Sequence, residues 1–162
     1  MNYLLFGGQP DSGKTSTLSR LCATLLAPPF SFTIADGTFP PARGADFTVL
    51  LERTLLGKKQ FIIINSPSDN KPPINNLKAF IDKHSSKGIE IILSSVRDID
   101  WERNYFFSTL KILPINPNVF EIPLARVTRR SSSGLFPLAL AWYEVTIDRH
   151  VNLVLTNPPF NL

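Results

Sequence analysis

The sequence predicts an α/β fold of three layers, built on a mostly parallel five-stranded sheet. Three observations carry that expectation. Short apolar runs without alternation, above all Phe61-Ile62-Ile63-Ile64, read as strands covered on both faces, as in a parallel sheet. Stretches with apolar residues at helical spacing lie between these runs, so strands and helices alternate as β-α units. Breakers such as Ala27-Pro28-Pro29 and Gly88 separate the two kinds of segment.

The elements follow in order. Tyr3 to Phe6 is the first strand, and Ser16 to Leu26 is a helix whose Leu18, Leu21, Cys22, Leu25 and Leu26 share one face. Cys22 in that stripe reads as a core thiol. Phe30 to Ala35 is a second strand ending at Asp36-Gly37, and a proline-bearing loop from Thr38 to Ala45 precedes a helix over Asp46 to Leu56. After the strand Phe61 to Ile64, Asn75 or Asn76 caps a helix with Leu77, Phe80, Ile81 and His84 on one face. Ile89 to Ser94 is the fourth strand, Asp98 or Asp100 caps a helix carrying Trp101, Tyr105 and Leu110, and Val119 to Leu124 is the fifth strand. The tail breaks the pattern: Leu138 to Ile147 and Val151 to Thr156 are expected as an antiparallel hairpin turning at Asp148-Arg149-His150.

A chain of 162 residues is expected to form a single domain, 1–162, with a real core. Its 43% apolar content excludes a disordered chain. The net charge of +4 suits polyanionic ligands but does not by itself argue for nucleic-acid binding. One cysteine excludes an internal disulfide framework and fits a reducing compartment. No apolar run reaches the length of a membrane span, and the first residues lack a leader pattern, so a cytoplasmic protein without membrane contact is expected.

The most informative stretch is Gly8-Gln9-Pro10-Asp11-Ser12-Gly13-Lys14-Thr15, between the first strand and the first helix. Gly8 and Gly13 allow dihedrals closed to other residues, so successive N–H groups can turn inward around an anion. The helix that follows, with Ser16 in its first turn, adds unpaired N–H groups and the positive end of its dipole. Lys14 can reach β- and γ-phosphates, and the Thr15 hydroxyl can ligate Mg²⁺.

This stretch resembles the Walker A motif of P-loop nucleoside triphosphatases and kinases. The resemblance implies a P-loop NTPase fold, with ATP or another NTP and Mg²⁺ held by Gly8 to Ser16. Asp36 lies where small-molecule and polynucleotide kinases of that class carry the carboxylate that orients a hydroxyl acceptor, a likeness of two residues, Asp36-Gly37. An Asp opening a turn accounts for it as well.

Arginine can stabilise a transferring phosphoryl group. Arg97, at the end of the fourth strand, is the first candidate, with Arg103, Arg126, Arg129 and Arg130 behind it. His84, on an apolar helical face, reads as a packed or partly exposed residue, and His150, in a turn, as inert. The strand Phe61 to Ile64 closes on Asn65 where a second metal carboxylate is usual, and Asp69 comes four residues later.

Other P-loop classes do not fit. Asn65-Ser66-Pro67-Ser68 lacks the Asp-x-x-Gly of Ras-type GTPases, Asn70-Lys71-Pro72-Pro73 breaks their Asn-Lys-x-Asp, and no transporter-type signature occurs. Asn157-Pro158-Pro159-Phe160 resembles an amino-methyltransferase motif, but no Gly-x-Gly turn for a methyl donor is present.

The sequence therefore predicts a P-loop NTPase or small kinase that hydrolyses ATP or passes its γ-phosphoryl group to a hydroxyl acceptor. Lys14, Asp36 and Arg97 are its catalytic candidates. The alternative is a nucleotide-dependent regulatory module with little turnover, whose Arg126–Arg130 loop contacts a protein or nucleic-acid partner.

Overall fold

Tyr3, Leu4, Leu5 and Phe6 are buried on both faces in a computed structural model of the chain, which describes residues 1–40, 44–127 and 136–162. They form the middle of β1 (Asn2–Gly8), which has parallel neighbours on either side. The other strands are β2 (Thr33–Gly37), β3 (Thr48–Leu55), β4 (Lys58–Asn65), β5 (Ile91–Arg97) and β6 (Val119–Pro123). The helices are α1 (Lys14–Leu26), α2 (Lys71–Lys83), α3 (Asp100–Leu110) and α4 (Phe136–Leu155). The sheet has six strands in the order β2-β3-β4-β5-β1-β6. Only β3 runs against its neighbours, so the sheet is mixed but mostly parallel.

Alternate residues of each central strand serve opposite faces. Leu4, Phe6, Ile62, Ile64 and Leu93 join Leu18, Leu21, Cys22 and Leu25 of α1 and Ile147, Val151 and Leu155 of α4 in one core. Tyr3, Leu5, Ile63 and Ile92 join Ile74 and Leu77 of α2 and Phe106, Phe107 and Leu110 of α3 in the other. The result is three layers, with α1 and α4 on one face and α2 and α3 on the other. Burial pushes the Cys22 thiol up to about 12, consistent with an inert core residue.

Two expected elements are corrected. Asp46 to Leu56 is not a helix: from Thr48 it is β3, paired antiparallel with β4. Val49, Leu50 and Leu51 are all fully buried, the first and third in one core and the second in the other, which suits a strand in the sheet interior. The signal was Leu56-Gly57, with φ of 50° and 79°, a two-residue turn between Leu55 and Lys58 of the kind that closes a tight hairpin. This added strand makes six where five were expected.

The C-terminal hairpin is likewise replaced by the single helix α4. Its buried residues Ile147, Val151 and Leu155 recur every fourth position, a helical stripe laid on α1. Arg20 of α1 clamps it, with Nε 2.8 Å from Asp148 Oδ2 and Nη1 3.0 Å from Glu144 Oε1. Asn157-Pro158-Pro159-Phe160 follows as a packing element: Phe160 is buried edge-on to Phe120 at 5.3 Å, and Asn2 Nδ2 donates to the Pro159 carbonyl at 3.1 Å.

Smaller shifts affect the ends. β2 starts at Thr33, and α2 starts four residues before Asn75, with Pro72 and Pro73 in its first turn, where a missing N–H costs nothing. The cap of α3 is Ile99, and Trp101 is half exposed. Among the described residues no helix is long and apolar enough to cross a membrane.

A helix and a strand make opposite statements about Leu153 and Leu155, which would share a face in a strand but lie on different faces in α4. Leu155 is 1% exposed and Leu153 63% exposed. Leu155→Ala is expected to cost about 2–5 kcal/mol by urea denaturation, and Leu153→Ala no more than about 0.5 kcal/mol. Equal losses would contradict the helix.

Candidate functional site

The loop from Gly8 to Thr15 leaves β1 and enters α1 through Gly13, whose φ of 84° is left-handed and which caps the helix without a side-chain hydrogen bond. Among the described residues, the N–H groups of Gly13, Lys14, Thr15 and Ser16 donate no backbone hydrogen bond. They are the free donors that every helix start leaves, concentrated here at one concave turn. Gly8 is needed for space: a Cβ there would meet the Leu124 carbonyl oxygen at 2.8 Å and Ser12 Oγ at 2.6 Å.

Lys14 is 9% exposed, and its Nζ donates to the carbonyls of Gly8 at 2.8 Å and Gln9 at 2.7 Å. Its ammonium thus lies folded against the loop. Burial pushes its pKa below the ordinary lysine value; Asp69 acts against that shift and Arg97 adds to it.

The loop opens on a cleft of about 390 Å³, lined also by Asp46, Ser66, Asp69 and Arg97. Its position follows from the sheet. Neighbouring β1 and β5 send their helices, α1 and α3, to opposite faces, and the carboxyl ends of strands at such a point leave a crevice for a ligand. Gly8 is paired with Arg97 in the register, so the loop and this arginine face the same crevice. Arg97 Nε lies 2.9 Å from Asp69 Oδ1, and Nη1 lies 3.3 Å from Oε2 of the buried Glu102.

Asp46 is the residue that sequence reasoning missed. Its Oδ1 accepts from Thr15 Oγ1 and from Ser66 Oγ, each at 3.2 Å. A carboxylate therefore stands beside the Thr15 hydroxyl after all, supplied by the segment before β3. No local signal marks it, because its partners Thr15 and Ser66 lie 31 and 20 residues away along the chain.

The other expected residues divide. Gly13, Lys14, Thr15, Ser16 and Arg97 come together at the cleft, with Pro10 and Asp11. Gly8 and Gln9 line a neighbouring hollow of about 360 Å³ with Arg103 and Arg126. Arg126 Nη2 is 3.8 Å from Asp11 Oδ2, while Arg129 and Arg130 lie outside the described residues.

Asp36 is not at the cleft. It sits on β2, the far edge of the sheet, with Oδ2 2.5 Å from Lys83 Nζ and 2.8 Å from His84 Nε2. The hydrogen bond from Lys83, then those from the Gly37 N–H and His84, hold its carboxyl down to about 2, a poor value for a base. Asn65 is also structural: it is buried, its Oδ1 accepts from Thr48 Oγ1 at 2.7 Å, and its Nδ2 donates to the Pro67 carbonyl at 2.7 Å.

No cluster of three or more His, Cys, Asp or Glu occurs among the described residues, so no metal cage is made from protein carboxylates alone. Thr15, Ser66 and Asp46 offer hard oxygen donors from a few side chains. That set fits Mg²⁺, which keeps several waters and takes phosphate oxygens rather than a full protein cage. Comparison with known protein families, curated proteins and solved structures finds no match for the chain.

The Asp36 pairs carry a pH signature. Folding lowers this pKa, so the stabilisation is complete above the ordinary carboxylate value of 3.8 and is lost as pH falls through about 2. Urea midpoints taken from about pH 5 down to about pH 2 should fall more steeply for wild type than for Asp36→Asn. Parallel slopes would show that the pairs contribute nothing.

Proposed function

We propose that the chain is a P-loop nucleoside triphosphatase, binding ATP or another nucleoside triphosphate with Mg²⁺ and hydrolysing the terminal phosphate. One observation carries the reading: free helix N–H groups, Lys14, the Thr15–Asp46 pair and Arg97 converge on a single cleft. Each then has a task. The N–H groups of Gly13 to Ser16 hold phosphate oxygens. Lys14 exchanges the carbonyls of Gly8 and Gln9 for the β- and γ-oxygens, trading neutral acceptors for charged ones.

Thr15, Ser66 and Asp46 would hold Mg²⁺, which when bound supplies charge neutralisation at the phosphates. Arg97 turns from Asp69 toward the terminal phosphate, and Asp69, half exposed at the cleft wall, is left to orient a water. Transfer to a hydroxyl acceptor has less support, because the acceptor carboxylate expected at Asp36 is committed to Lys83 and His84.

The second reading, a nucleotide-controlled binding module with little turnover, draws on one observation. The position closing β4 carries Asn65, whose amide is committed at both ends inside the protein and cannot activate a water.

Lys14→Ala is expected to weaken Mg·ATP binding about 10- to 100-fold in calorimetry, the worth of one or two charge-assisted hydrogen bonds. Arg97→Ala should lower turnover by about 100-fold with a smaller effect on binding. Asp46→Asn should weaken Mn²⁺ in the nucleotide complex by roughly 10-fold, read by electron paramagnetic resonance. Asp36→Asn should change none of these. Wild type that binds without turnover favours the module; no heat with Mg·ATP or Mg·GTP sinks both readings.

A further inference from the structure

Helix α4 has a second apolar face, on the side away from the core that Ile147, Val151 and Leu155 join. Leu138 and Trp142 are each 71% exposed, Leu153 63% and Val145 51%. With the exposed Arg149 they recur at helical spacing, so they form one stripe along the 20 residues of the helix. Among the described residues no element covers it. We propose that this stripe is the interface between two copies of the chain, their α4 helices packed antiparallel about a two-fold axis. The inference goes beyond the nucleotide reading and does not depend on it.

The order of residues in the stripe points to a second copy. A two-fold contact needs a surface that complements itself. In an antiparallel pair centred between Val145 and Thr146, residues equidistant from that centre face each other. Leu138 then meets the partner's Leu153, Trp142 meets the partner's Arg149, and Val145 lies beside the axis. Apolar groups cover apolar groups, and a guanidinium lies over an indole face, a favourable pairing. Arg149 is available for it, since it forms no ion pair among the described residues. Parallel helices would set the two Arg149 side chains against each other. The antiparallel pair separates them by about 10 Å of helix rise.

Composition and size agree. Trp, Arg and apolar residues mark the centres of protein interfaces, where Lys, Asp and Glu are depleted, and the stripe holds none of those three. Covering its apolar side chains and the Arg149 stem removes on the order of 500 Å² from each protomer. The pair thus reaches the ~1,000 Å² at which specific interfaces begin, which makes the dimer reversible rather than obligate. A lipid surface fits less well. Helices that lie on one carry Lys and Arg along the polar flanks, whereas α4 has Glu144 and Asp148 against Arg149 alone, with His150 beside it.

The test is sedimentation velocity of the full chain without nucleotide, from low to high micromolar concentration. Wild type should pass from monomer to dimer. Trp142→Glu should weaken the dimer at least about 100-fold, because each substitution acts twice in a two-fold pair. Its urea midpoint at low concentration, where the monomer is measured, should stay unchanged, as at other exposed sites. Val145→Glu does the same beside the axis and stands in if the first variant melts early. For the direction of packing, Leu138→Cys chain is mixed with Leu153→Cys chain and treated with a short bismaleimide; the native Cys22 is fully buried and does not compete. The mixture should crosslink and neither variant alone. Crosslinking of each variant with itself overturns the antiparallel arrangement. Wild type that stays monomeric, or a dimer untouched by both glutamate substitutions, overturns the interface. A monomer that instead binds phosphatidylserine vesicles through this face also overturns it and assigns the stripe to a lipid surface. Mg·ATP binding is measured separately, so either reading can fail while the other stands.

Discussion

Parallel pairing of β1 with β5, in register from Asn2 with Ile91 to Gly8 with Arg97, is the constraint on which the rest of the molecule depends. It sets the end of β1 beside the end of β5 and sends α1 and α3 to opposite faces. The crevice between them is a consequence of that divergence, not of any single residue. Burial enforces the alignment, since Leu4, Leu5 and Phe6 and their partners Leu93, Ser94 and Ser95 are completely withdrawn from water. A slip by one residue would exchange the two cores and strand apolar side chains on the wrong face.

Charges at the crevice are held in place by the elements behind them. Glu102 is 2% exposed, yet its Oε1 accepts from the Asn70 N–H at 3.1 Å while Arg97 pairs with its other oxygen. One buried carboxylate thus ties the ends of β5 and the starts of α2 and α3 together. A buried charge is tolerable only when so partnered, and loss of either partner would leave it uncompensated. Arg97 therefore has an anchored base, through Glu102, and a more exposed contact, Asp69. In the proposed function, a phosphate would replace the exposed contact while the anchor stays in place.

Much of the loop was legible from its residues. Gly8, Gly13, Lys14 and Thr15 declare themselves by a fixed spacing and by the strand and helix on either side. The rest of the site was hidden for a definite reason. Asp46 reaches Thr15 because β3 returns antiparallel along β4, and a short apolar run such as Val49-Leu50-Leu51 does not by itself distinguish a strand from a buried helix. Asp36 lies away from the cleft for another reason: it falls within β2, the edge strand, where Lys83 and His84 take up its carboxylate.

The sequence by itself determined the strands β1, β2, β4, β5 and β6, the helices α1, α2 and α3 with the apolar faces of α1 and α2, and the glycine loop. These follow from local periodicity and from backbone dihedrals that glycine alone enters easily. Tertiary structure decided the hairpin of β3 with β4, the helical state of α4 and the pairing of Asp46 with Thr15. Those outcomes depend on burial against distant partners, such as the contact of Ile147, Val151 and Leu155 with α1. A window along the chain records the order of apolar residues, but not which surface will cover them.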